Sequence, residues 1–181
     1  MTGDMQAALA ELCAGPLYRF ADWPNPAVPN GSIGVYTVWH DDQLIYVGMS
    51  GRTVNSAAEG SGEIVRGRLK GLRSRLDSHA SGRRSGDQFC VYVFDRLVLP
   101  SLNQQQIEDA ANGRLSLDTL IRKLIRGSLS YRFALTIDPS TARAIERQLQ
   151  REGLTGQLPL LNPFRVIAGA SRDRARRTLT G

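Results

Sequence analysis

The sequence predicts an α+β fold, a small antiparallel β-sheet flanked by helices with helical insertions. Three observations predict it. Residues 33–39 (Ile-Gly-Val-Tyr-Thr-Val-Trp) and 44–48 (Leu-Ile-Tyr-Val-Gly) are β-branched and aromatic runs around a short polar break, which reads as a hairpin. Residues 64–80 place Val65, Leu69, Leu72 and Leu76 at the three- and four-residue steps of one helix face. Residues 139–152 carry both ends of a helix, with Asp138 as N-cap, Pro139 at the first helical position and Gly153 as the stop.

The remaining elements follow in order. Residues 4–13 read as a short amphipathic helix. Residues 21–31 hold three prolines and a turn signal, so they form an extended approach. Residues 49–62, with Gly51, Gly60 and Gly62, are a long loop that is functional or mobile. Gly67 and Gly71 weaken the following helix, and residues 81–87 are a loop. Phe89–Leu99 reads as a strand ended by Pro100. Helices are expected over 104–112 and 117–126, the latter with Ser116 as N-cap, and a strand over 131–137. Residues 157–164 are an apolar, proline-flanked loop, and the tail beyond Arg165 is a basic arm or weak helix. The resulting division is an N-terminal helix and arm (1–31), one domain (32–164) with insertions near 51–65 and 97–130, and a basic tail (165–181).

The chain has 181 residues, a formal net charge of +6 and a sequence pI of about 9.9. Of its 23 basic residues only Lys70 and Lys123 are lysine. Arginine favours planar, bidentate phosphate contacts. Arg66, Arg68, Lys70, Arg73, Arg75, Arg83 and Arg84 face one acid, Asp77, in the same stretch; Arg165, Arg172, Arg174, Arg176 and Arg177 form a second cluster. Two such clusters suggest a polyanionic partner, of which nucleic acid is the commonest. Apolar runs are too short to span a membrane. Met1–Leu12 carries Asp4 and Glu11 and no basic residue, unlike a secretory leader. Cys13 and Cys90 match no zinc spacing, so a reduced, cytoplasmic protein is expected.

Several residues could carry chemistry. Glu146 falls in the Ala142, Ile145, Glu146, Leu149 set, in or beside a slot that packing gives to an apolar residue; it either snorkels toward Arg143 or Arg147 or binds a metal. Arg75 and His79 are four apart and share a helix face at the edge of the Leu72–Leu76 stripe. Each hairpin strand carries a tyrosine. An odd connection makes Tyr36 and Tyr46 direct partners on one face, and a four-residue connection puts them on opposite faces.

In order along the chain, Gly34-Val35-Tyr36, then Tyr46-Val47-Gly48, Arg75 with His79 one turn on, Glu146 on a later helix, and Asn162 in Pro159-Leu160-Leu161-Asn162-Pro163 together resemble the GIY-YIG nuclease family, with Val for Ile in both triplets. The resemblance spans roughly residues 32–164. It implies a GIY-YIG-like core that hydrolyses phosphodiesters of double-stranded DNA with one divalent metal, Mg2+ or Mn2+, held by Glu146. It gives Arg75 the scissile phosphate, Tyr36, Tyr46 and His79 the water and its proton in an order left open, and Asn162 a bracing role. Arg73 competes with Arg75 for the phosphate. Arg66, Arg68, Lys70, Arg73, Arg83 and Arg84 are the expected DNA contacts. With no second recognisable DNA-binding or helicase domain, a restriction or phage-defence enzyme acting as a homodimer on a palindrome is expected. Repair, structure-specific or mobile-element cleavage is the alternative, and a catalytically inactive DNA-binding module the third.

Overall fold

The computed structural model describes residues 3–51 and 71–162. The bulk of the expected 49–62 loop, the start of the helix expected from residue 64, and the basic tail lie outside the described residues. So do Arg66, Arg68 and Lys70.

An antiparallel sheet of four strands forms the middle layer, in the order β1-β4-β2-β3. The strands are β1 (Tyr18–Arg19), β2 (Gly34–His40), β3 (Gln43–Ser50) and β4 (Leu129–Leu135). Six α-helices accompany it among the described residues: α1 (Gly3–Ala14), α2 (Leu72–Ser81), α3 (Gln88–Val93), α4 (Gln104–Ala111), α5 (Leu117–Ser128) and α6 (Pro139–Glu152). The fold class is therefore α+β, and α4 and α5 occupy the 97–130 region as expected.

Each sheet face builds its own core, because successive strand residues point to opposite sides. On one face Tyr36, Val38, Ile45, Leu129 and Tyr131 pack against Leu72 and Leu76 of α2, Phe89 and Val93 of α3, and Ile121 and Ile125 of α5. On the other, Val35, Trp39, Leu44 and Val47 pack against Leu12 of α1 and Ala142, Ile145 and Leu149 of α6. The 21–31 arm is tied to the first face: Trp23 and Val28 are buried there, Trp23 Nε1 donates to Asp77 at 2.8 Å, and Asn25 Nδ2 donates to the Tyr131 hydroxyl at 3.0 Å.

Helix ends follow local chemistry. Asp138 caps α6, accepting from the backbone N–H of Ser140 and Thr141 at 2.7 and 2.9 Å. Ser116 stands at the cap of α5 but makes no side-chain cap bond. Gly82 ends α2 at φ 70°, in the left-handed region, with its Cα against the backbone of Arg122 in α5. No β-carbon fits there, so the glycine sets how closely α2 and α5 approach.

One expected element differs. Phe89–Leu99 is not a strand: residues 88–93 are α3, and the chain continues through a π-helical turn, Phe94–Val98, and a short 3-10 turn, Leu99–Ser101. The run Phe-Cys-Val-Tyr-Val-Phe is apolar throughout, so it has no period with which to separate strand from buried helix. Asp87 caps this helix, and Phe89, Cys90 and Val93 are its buried side.

No helix among the described residues is long and apolar enough to cross a membrane.

Leu76 is fully buried where α2 meets the sheet. Leu76→Ala should lower the unfolding free energy by about 2–5 kcal/mol in urea denaturation, whereas Ser74→Ala on the exposed side of the same helix should leave the midpoint nearly unchanged.

Candidate active site

The β2–β3 hairpin turns through Asp41 and Asp42, pairing His40 with Gln43 and Trp39 with Leu44. Beyond that the register shifts by one: Val38 pairs with Tyr46, and Tyr36 with Gly48. Ile45 is the extra residue of a β-bulge. With a two-residue turn and no bulge, Tyr36 and Tyr46 would project to opposite faces. The bulge returns Tyr46 to the face of Tyr36. The two tyrosines are diagonal neighbours, not direct partners, with ring centroids 6.3 Å apart.

Gly48 lies directly across from Tyr36. A β-carbon there would collide with the Tyr36 hydroxyl and ring and come within 2.9 Å of the Tyr46 ring. The glycine is the floor on which both phenols sit.

α2 brings His79 to the same spot. His79 is 1% exposed and boxed by three rings, those of Tyr36, Tyr46 and Phe89, with centroids 5.4, 6.1 and 4.5 Å from its own. Its Nε2 lies 2.6 Å from the Tyr36 hydroxyl, and its Nδ1 lies 2.6 Å from Asp87 Oδ2. Asp87, 2% exposed, uses Oδ1 to accept from the Phe89 N–H at 3.1 Å, while the Cys90 thiol donates to Oδ2 at 3.6 Å. Asp87 is a member of the site that is not among the candidates expected from sequence. Its signal is the helix cap, an Asp two residues before the apolar run that starts at Phe89, which a strand over Phe89–Leu99 conceals.

Arg75 lies one turn before His79 on α2 and is half-buried. Its backbone N–H donates to the Gly71 carbonyl at 3.1 Å, and its guanidinium makes no hydrogen bond or ion pair among the described residues. Glu146 is half-buried on α6, beside the buried Ile145. Both charges act on both tyrosines. Burial pushes the Tyr36 hydroxyl well above the usual phenol range; Tyr46 adds to this, Arg75 opposes it, and Asp87 and Glu146 add further. Burial also pushes Tyr46 up, with Glu146 next in weight and Arg75 opposing. β2, β3, α2 and α6 thus converge on one electrostatic site.

Burial holds His79 below the ordinary imidazole range, partly offset by Asp87. Burial alone would raise Asp87, but the hydrogen bonds from His79, Ser78 and the Phe89 N–H outweigh it and hold the carboxyl below the usual range. The pair is therefore a neutral imidazole beside an ionised carboxylate at neutral pH.

Asn162 sits apart from this chemistry, on the outer edge of β3. Its Oδ1 accepts from the Val47 N–H at 2.7 Å and its Nδ2 donates to the Val47 carbonyl at 2.9 Å. It braces the strand between Tyr46 and Gly48.

The expected basic contacts separate. Arg73 donates to the carbonyls of Asn25 and Val28 at 3.0 and 3.1 Å and lies over the Trp23 ring, so it anchors the arm. It is Arg75 that faces the tyrosines. Arg84 pairs with Asp118 at 2.7 Å and lies over the Phe94 ring, while Arg83 is exposed.

Among the described residues no three His, Cys, Asp or Glu side chains cluster as a metal cage. Comparison with protein-family models, with curated proteins and with solved structures gives no match.

The pH dependence follows from the phenols. Tyr36, Tyr46 and Tyr131 all hold their protons more tightly in the folded chain, burial being the largest cause at each. A phenol released to an ordinary pKa by unfolding stabilises the fold below that pKa, and this contribution is lost as the pH rises above it. Melting temperature should therefore fall as the pH rises from about 9 to about 11. Phenolate absorbance should show at least three of the five tyrosines ionising only with unfolding. Five tyrosines titrating together in the folded chain would contradict the buried site.

Proposed function

We propose that the chain is a divalent-metal-dependent DNA endonuclease of the GIY-YIG type. One observation carries the reading: Tyr36, hydrogen-bonded to His79, shares a face with Tyr46 under the opposed charges of Arg75 and Glu146. These are the residues, in order, that the two triplets and the later helices suggested.

The residue chemistry supports hydrolysis. The Tyr36 O–H points to the neutral Nε2 of His79, so its proton has an acceptor 2.6 Å away. As a water molecule gives its proton to the Tyr36 oxygen, the Tyr36 proton passes to Nε2, and the hydroxide formed attacks phosphorus as the bond from phosphorus to the leaving oxygen breaks. A buried phenol alone is a poor base, and this exchange spares the site a long-lived phenolate. Arg75 binds the phosphate and the charge that builds on it. Tyr46, against Tyr36 and His79, orients the water.

A single carboxylate suits a Mg2+ ion, which keeps several waters and takes one or two carboxylates plus substrate oxygens. Glu146, whose charge reaches both phenols, would hold it. When bound, the ion supplies stabilisation of the leaving oxygen. Arg83, with the basic clusters outside the described residues, supplies phosphate contacts along duplex DNA. A restriction-type enzyme acting as a homodimer is the form we favour.

The test incubates plasmid DNA and Mg2+ with the wild type, Glu146→Ala and Tyr36→Phe. The wild type should cut the plasmid to discrete bands, and each variant should fall by about 10²–10⁴-fold. Equal cleavage by all three, or by none, rejects the assignment. Nicking confined to branched or damaged DNA would place the enzyme in repair or structure-specific cleavage instead.

A further inference from the structure

The relay does not end at His79. Asp87 belongs to neither triplet and sits on a different element from the other site residues, yet both of its oxygens are committed. Oδ2 meets His79 Nδ1 at 2.6 Å, and Oδ1 holds the first turn of α3 through the Phe89 N–H. An ionised carboxylate only accepts hydrogen bonds, so Nδ1 must donate. A neutral imidazole carries one proton, so Nε2 is left as an acceptor. The Tyr36 hydroxyl, 2.6 Å from Nε2, must then be the donor. For a neutral ring this is the one assignment that satisfies every group in the chain.

We propose that Asp87 is a positioning residue for the proton route. It fixes His79 as the Nδ1–H tautomer and so keeps the Nε2 lone pair turned to Tyr36. In the forward step the Tyr36 O–H bond breaks as an N–H bond forms at Nε2, and a proton from water replaces the one lost by Tyr36. The imidazolium so formed lies against the Asp87 carboxylate, which stays proton-free. The proposal rests on the nuclease reading for its kinetic consequence only; the tautomer is a property of the free protein.

The competing role is structural, with Asp87 serving merely as the cap of α3. Asp87→Asn separates the two. The cap needs an acceptor for the Phe89 N–H, so the Asn carbonyl takes the Oδ1 place and its amide takes the Oδ2 place. That amide donates to Nδ1, which forces the proton to Nε2 and aims a donor at Tyr36. The cap survives, and the proton acceptor is lost. In Ser-His-Asp hydrolases the corresponding exchange inverts the tautomer and lowers kcat by roughly 10⁴-fold.

The experiment combines nitrogen-15 imidazole spectra of the full chain with single-turnover cleavage of duplex DNA in Mg2+. The chain has two histidines, His40 and His79, so His40→Gln assigns the spectrum. The wild type should show His79 protonated at Nδ1 and bare at Nε2. Asp87→Asn should show the reverse, cleave about 10²–10⁴-fold more slowly, bind DNA equally and melt close to the wild type. A wild-type His79 carrying its proton on Nε2, or on both nitrogens, overturns the proposal. So does an Asp87→Asn protein that cleaves at the wild-type rate. If Asp87→Asn does not fold, the wild-type spectrum alone decides. If the wild type cuts no DNA the nuclease reading fails, and the spectrum still decides the role of Asp87.

Discussion

A single extra residue in β3 sets the rest of the site. Side chains alternate along a strand, so a one-residue slip exchanges the two faces of everything beyond it. The turn at Asp41 and Asp42 would by itself place Tyr46 with Leu12 and Trp39, in the core under α1 and α6. The bulge at Ile45 corrects the parity between Val38 and Trp39. Leu44 stays in the second core, Ile45 joins the first, and Tyr46 lands beside Tyr36. Gly48 then falls opposite Tyr36, where a side chain would have no room. The proposed chemistry depends on this register before it depends on any catalytic group.

The second dependence is electrostatic. A neutral His79 and an ionised Asp87 leave a negative charge in a place almost free of water. Such a charge is tolerated only when its lone pairs are filled. Here they are filled by the imidazole N–H, the Phe89 N–H and the Cys90 thiol, whose own pKa burial raises so that it stays a donor. The carboxylate is thus paid for locally by an α-helix cap. α3 serves the site although it contributes no group that would touch substrate.

Much of this was legible in the sequence, and the exceptions have physical causes. The hairpin, α1, α4, α5, β4 and α6 all carry periodicity or caps that survive without tertiary information. That Tyr36, Tyr46, Arg75, His79 and Glu146 belong together is what the family resemblance implies, and the face shared by the tyrosines stays open in the sequence because a bulge leaves no mark in a β-branched run. α3 is the exception because the six apolar residues 89–94 have no period to distinguish helix from strand, and without the helix Asp87 carries no cap signal. Spacing to His79 is what favours Arg75 over Arg73 in the sequence, and the structure adds the physical reason, since the carbonyls of the arm at 23–28 claim Arg73.

The stitching along the outer side of β3 has a wider meaning. An edge strand is an open template for any other extended chain. In this protein Leu160 and Leu161 donate to the carbonyls of Leu44 and Ile45, Gln157 accepts from the Leu44 N–H, and Asn162 closes both polar groups of Val47. The strand that carries Tyr46 and Gly48 is consequently deaf to foreign strands. Sheet extension by a second chain is blocked along Leu44–Val47, so the part of the hairpin that carries Tyr46 is shielded from the aggregation hazard of its own β-rich sequence.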